Sequence, residues 1–281
     1  MMTVWTVARL TIREAQRRWI LWAALLLGLA FLVVYGLGFY EMQKDIQRQM
    51  GSGIMARVGA LEFHSFYGLA GLYVVNFLAS IMAVLTSVDT IAGEISSGTV
   101  HTLVSKPVQR REIVIGKWLG FAFMLTLYLL LMAGGTVGIG YIIAGFLAPN
   151  VLRGLLLMWL NVLLLLSVSL AGGSVLSTLA NGVLVFGLYG VAFIGGWVEQ
   201  IGSFLDNATA VRIGIVCSLI IPSDALWRRA AFEMQSALEG VIGGSPFATN
   251  SVPSPFMVGY AVLYTAVAVA LAVQLFRKRD L

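Results

Sequence analysis

The chain has 281 residues, of which 59% are hydrophobic and only 11% charged, and its mean hydropathy is +0.91. Ordinary soluble domains carry roughly 25% charged residues, so there is too little polar surface here to cover a water-soluble globule, and no length is left for a soluble nucleotide-binding domain. The net charge of +5 does not mark a nucleic-acid binder, because the basic residues sit mostly at the edges of apolar runs, where they anchor and orient membrane helices.

Through residues 1–18 and into the first span, Trp5, Ala8, Ile12, Ala15 and Trp19 recur at spacings of three and four, on a helix whose other face carries Arg9, Arg13 and Arg17. That pattern predicts an amphipathic helix in the membrane interface that turns into the first span. The plainer alternative is a cytosolic extension of that span. A span needs about 20 apolar residues. The first, 19–40, has no charge and is too long for a signal-peptide core, so an uncleaved span is expected. The second is 66–88, ending at Asp89, and the third is 118–147, ending before Pro149-Asn150. The charge-free stretch that follows is long enough for two helices. A turn at Asn181-Gly182 is expected to divide it into spans 155–179 and 183–204. Ile213–Ile221 is apolar but too short to cross and is stopped by Pro222, so a packed or partly inserted helix is expected in an outer segment 207–255. The last span is 256–276, closed by Arg277-Lys278-Arg279. The whole reads as one all-α membrane domain, 1–281.

Six spans place both termini on one side. Arg9, Arg13, Arg17, Arg18, Lys106, Arg110, Arg111, Lys117, Arg277, Lys278 and Arg279 lie on that side, eleven against seven on the other. The excess puts both termini in the cytoplasm.

Several chemistries are excluded. Cys217 is the only cysteine, and the two histidines, His64 and His101, are expected in loops on opposite sides, so no metal-ligand spacing exists. The span centres carry no ionisable residue, with Asp89 and Glu199 near predicted ends. Such groups are the usual parts of proton-driven machines, although a Na⁺-coupled carrier can bind its ion with backbone and hydroxyl oxygens. Ser174 has no histidine in its layer, which argues against an intramembrane protease. Gly134-x-x-x-Gly138 and the row Ser169, Gly173, Ser177 mark close helix packing without identifying a dimer face.

The most informative stretch is 91–117, between spans two and three. Ser96-Ser97-Gly98 breaks the helix leaving the membrane, Thr99 to Ser105 can form a short helix with Val100, Leu103 and Val104 apolar, and Pro107 ends it. A short helix strung between two membrane helices transmits force to both. An ordinary loop whose cations anchor span ends is the alternative. No phosphate-binding loop is present, since Gly116-Lys117 is followed by Trp118 and Arg111 stands where its first glycine belongs.

Gly93-Glu94-Ile95-Ser96-Ser97-Gly98-Thr99, Leu103, Ser105-Lys106-Pro107, Arg110-Arg111 and Gly116-Lys117 together resemble the signature loop of type-2 ABC (ATP-binding cassette) exporter permeases. Ile221-Pro222-Ser223-Asp224-Ala225-Leu226-Trp227-Arg228 is similar to a segment of the branch that holds the membrane subunit of the nitrous-oxide-reductase maturation transporter. The resemblance implies an inner-membrane permease whose coupling helix docks on a separate ATPase subunit. Glu94, Lys106 and Arg110 would be charged contacts, and Gly98, Thr99, Leu103, Ser105 and Pro107 would shape the docking helix. It further implies two ATPase copies that hold ATP and Mg, a second permease copy in a homodimer, and a pathway between the copies near Asn76 and Ser80, unless those two are satisfied packing polars. Ser223 can cap a helix, and Asp224 and Arg228 fall at i,i+4 for an ion pair. Three functions stay open: an exporter permease, an ATPase-driven mechanical transmitter acting on an outer partner protein, and a Na⁺-coupled carrier. Arg228, Arg229, Glu233 and Glu239 could dock such a partner or form a solvated helix face.

Overall fold

The computed structural model describes residues 2–49, 54–93, 109–236, 249 and 251–278. The described residues form helices α1 (Met2–Gln16), α2 (Trp19–Gln49), α3 (Ile54–Ser87), α4 (Arg110–Ala144), α5 (Val151–Gly173), α6 (Thr178–Phe204), α7 (Ala208–Ile220), α8 (Ser223–Met234) and α9 (Pro255–Lys278). Six of them, α2 to α6 and α9, are long and apolar enough to cross a membrane.

In lipid only helices and closed barrels satisfy every backbone group internally, and this sequence takes the helical solution. α5 is the central helix. It packs against α3, α4, α6, α8 and α9, and its run Leu163–Leu166 is buried. α2, α6 and α9 turn large apolar side chains outward, among them Leu26, Val34, Val183, Ile194 and Leu263, as a lipid-facing surface requires.

The six crossings bring the start of α2, the end of α3, the starts of α4 and α6 and the end of α9 to one face of the bundle. We call this the proximal face. α1 lies there as well, against the first turns of α4. Gly116 and Gly120 of α4 let it approach, because a Cβ at Gly116 would meet Val4 O at 2.9 Å and one at Gly120 would meet Ala8 O at 2.9 Å. The expected apolar stripe is split by this contact. Ala8 and Ala15 are buried, whereas Trp5 and Trp19 are exposed.

Several expectations need correction. α2 and α3 run well past the bilayer-length segments 19–40 and 66–88, with α2 reaching Gln49 and α3 starting at Ile54. His64 therefore lies inside α3, buried and bonded to Gln43, not in a loop. The turn between α5 and α6 falls at 174–177, and Asn181 is a buried residue within α6. A Cβ added at Gly134 or Gly138 would meet nothing within 4 Å among the described residues.

α7 doubles back along α6. Gly195 and Gly202 of α6 face Cys217 and Ala210, and Gly214 of α7 faces Glu199. After Ile221-Pro222 the chain bends by 109° into α8, whose Met234 packs on Gly154 at the start of α5. The short apolar helix expected before Pro222 is thus one arm of a bent pair at the distal face.

Candidate functional site

A buried ion cluster forms near the distal end of α6, around the Glu199 that the sequence places near a span end. Glu199 of α6 is buried about 8 Å, five residues, before the end of its helix. Its carboxylate receives both terminal nitrogens of Arg228 from α8, Nη1 on Oε1 at 2.6 Å and Nη2 on Oε2 at 2.8 Å. This is the two-pronged geometry that makes arginine–carboxylate pairs strong. Arg228 Nε donates to Asp224 Oδ2 at 2.9 Å, the i,i+4 pair read from the sequence. Nη2 also donates to Ser218 Oγ of α7, and Nη1 to the Ser251 carbonyl. Ser251 Oγ closes the ring on Glu199 at 2.6 Å. Arg228 is only 2% exposed, so it is no solvated face. Burial pushes the Asp224 carboxyl up to about 6, against the pull of Arg228. Ser223 does not cap its helix: Pro222 holds the N-cap position, and the Ser223 hydroxyl is buried without a hydrogen-bond partner among the described residues.

A neutral polar layer lies between α3 and α5. Asn161 Nδ2 donates to Asn76 Oδ1 at 3.2 Å and to Ser80 Oγ at 3.1 Å. All three residues are buried. Asn76 and Ser80 are therefore closed off inside the chain in this conformation, and Asn161 is the partner that sequence reasoning did not single out. Interhelical hydrogen bonds in membranes contribute about 0.6 kcal/mol on average, with a maximum near 1.7. Asn161→Leu is expected to cost about 1 kcal/mol, a modest drop in thermal unfolding measured in detergent.

At the proximal face, polar groups on both flanks of 94–108 are tied to other helices. Just before it, the Val88 carbonyl accepts from Asn181 Nδ2 of α6 at 3.2 Å, and Asn181 also donates to the Ser169 carbonyl of α5. Asp89 accepts from Thr178 Oγ1 of α6 at 2.8 Å and pairs with Arg18, in the α1–α2 elbow, at 3.5 Å. The Thr90 carbonyl accepts from Lys117 Nζ of α4 at 3.2 Å. Lys117 is buried despite its charge. Just after 94–108, Glu112 Oε2 accepts from the Gln109 amide and closes the start of α4, a capping arrangement. Arg110 Nη1 donates to the Arg277 carbonyl of α9 at 3.2 Å. Glu94, Gly98, Thr99, Leu103, Ser105, Lys106 and Pro107 lie outside the described residues. Of the expected docking residues only Arg110 is placed, and it stands on the rim of this knot. No group of residues with metal-binding composition occurs among the described residues.

The ABC-2 family transporter protein domain matches residues 5–281. The chain belongs to the ABC-2 transporter family. Among curated relatives, it is 30% identical over 133 residues to the probable ABC transporter permease protein NosY of Stutzerimonas stutzeri, covering 47% of this chain and 43% of that protein. It is 31% identical over 136 residues to the probable permease NosY of Pseudomonas aeruginosa, covering 48% and 44%. The matched stretch thus spans less than half the length of these relatives. Membership in the ABC-2 family accords with a multi-pass membrane protein built from six apolar helices. It also bears out the family resemblance read from 93–117.

Proposed function

We propose that the chain is the permease subunit of an ABC transporter, driven by a separate ATPase subunit that binds ATP and Mg, with both termini in the cytoplasm. The observation that carries this reading is the tethering around 94–108. Val88, Asp89, Thr90 and Arg110 join the two ends of that segment to the elbow, α4, α6 and α9. A force applied to 94–108 therefore reaches most of the bundle at once. In a plain connector these groups would be left to water. Glu94, Lys106 and Arg110 are the proposed charged contacts to the ATPase, with Gly98, Thr99, Leu103, Ser105 and Pro107 shaping the helix that docks. Two copies of the chain would form the pathway, in the inner membrane, working in the direction of export.

The test is charge reversal at the dock. Glu94→Lys with Lys106→Glu is expected to lower co-purification of the ATPase, or stimulation of its turnover, by about tenfold, the loss of about 1.4 kcal/mol. Unchanged assembly and stimulation would remove these residues from the interface.

A second reading is favoured by the distal face. Arg228 locks α6, α7, α8 and residue 251 into one body. A rigid distal body at the far end of a driven bundle suits a transmitter that works on an outer partner protein. Proteoliposomes holding both subunits separate the two readings: cargo movement supports the permease, and ATP turnover gated by an outer protein without cargo movement supports the transmitter.

A further inference from the structure

An apolar groove runs between α1, α2, α3 and α4, from the end of α1 to Leu131 of α4. Its volume is about 200 Å³, and Ile12, Leu25, Met82, Phe123 and Tyr128 line it, with Gln16 as its single polar lining residue other than the Tyr128 hydroxyl. The two methionines of the groove, Met82 and Met124, are adaptable fillers of irregular contacts.

The helix that walls this groove has a particular order of side chains around its axis. At about 100° per residue, Ile12, Trp5, Gln16, Arg9 and Arg13 follow one another within about 100° of arc on α1. The apolar wall thus passes directly into two arginines. Arg18 is occupied by Glu14 and Asp89. Arg9 and Arg13 are exposed and have no carboxylate partner among the described residues. Trp5, Trp19 and Trp22 stand exposed around the same junction, and exposed tryptophans concentrate at the level of lipid headgroups.

We propose that this groove is a binding site for one anionic glycerophospholipid. Part of an acyl chain lies between Leu25, Met82 and Phe123, the Gln16 amide meets the ester region, and the phosphate sits between Arg9 and Arg13. Charge complementarity selects the occupant, since a zwitterionic lipid would bring its own cation against two unpaired arginines. The lipid wedges α1 against the bundle at the elbow that holds Asp89. The site rests on the cytoplasmic N-terminus of the functional reading above and on the interfacial α1 expected from its sequence pattern, but it needs no ATPase.

The test uses the full-length purified chain, with phosphatidylglycerol and phosphatidylcholine of identical chains as probes and native mass spectrometry of the one-lipid adduct as readout. Each arginine near a headgroup gives about fivefold in affinity, so about a thirtyfold preference for phosphatidylglycerol is expected. Arg9→Gln with Arg13→Gln should bring the preference down to near unity, while Lys44→Gln with Arg48→Gln, at the distal ends of the helices, should leave it intact. Leu127→Trp, at an exposed lining position, should lower retention of both lipids. A preference that survives loss of Arg9 and Arg13, or that falls equally in the distal pair, overturns the site. Failure of ATPase docking with lipid selectivity intact would overturn the functional reading alone.

Discussion

Arg228→Met should be the most damaging single substitution in the described part of the chain, lowering stability by about 3–5 kcal/mol and depleting the protein from the membrane. The size follows from what is left behind. Removing the guanidinium strands Glu199, 4% exposed, and the Asp224 carboxylate without a counter-charge, and leaves Ser218 and the Ser251 carbonyl without their donor. Surface pairs such as Lys44–Glu41 contribute only about 0–1 kcal/mol. Arg228→Lys should also fail, because one ammonium cannot span both carboxylates and the two remaining acceptors. Adding Glu199→Gln to Arg228→Met should recover part of the loss by removing a stranded charge. The measurement is thermal unfolding of the purified chain in detergent, with membrane abundance alongside. A variant melting with the parent would mean that water reaches this cluster and the burial argument is wrong.

The cluster also shows what a sequence can and cannot disclose here. Asp224 and Arg228 are one helical turn apart, so their pairing is local and legible. Glu199 lies 29 residues from Arg228, on a helix whose last turns look like any span end. Only the doubling back of α7 brings them together. The six spans were legible because hydropathy alone selects them. The extra turns of α2 and α3 were not, because those turns are polar enough to escape a search for apolar runs. Asn181-Gly182 misled for a tertiary reason. Its Nδ2 is held by the carbonyls of Val88, just past α3, and Ser169 of α5, so the local preference for a turn is overridden and the chain turns at 174–177 instead. Gly134 and Gly138 carry a packing motif that meets no neighbour among the described residues, while Gly116 and Gly120, four apart in the same helix, do the packing against α1. Spacing was not enough to tell the two pairs apart.

Asp89→Lys should separate coupling from stability. The Asp89 side chain is 45% exposed and that of its partner Arg18 is 27% exposed, so the pair itself contributes only about 0–1 kcal/mol to folding. Its position gives it a larger role in the proposed mechanism. Asp89 closes α3 just before 94–108 and holds both the α1–α2 elbow and the first turn of α6. A lysine there loses the Thr178 hydroxyl and sets two partly exposed cations side by side, a repulsion of only about 1 kcal/mol at 4 Å in water. α3 should then move without the elbow and α6. Stimulation of the partner ATPase by the chain is expected to fall about tenfold, equivalent to about 1.4 kcal/mol of lost coupling. The melting temperature and the amount of ATPase that co-purifies should stay close to those of the parent. The swapped pair, Arg18→Glu with Asp89→Lys, should recover most of the stimulation because it restores opposite charges across the same gap. If the swap stays as weak as the single variant while Thr178→Val has no effect, force reaches the bundle by Thr90–Lys117 and Arg110–Arg277 instead, and Asp89 is an ordinary helix end.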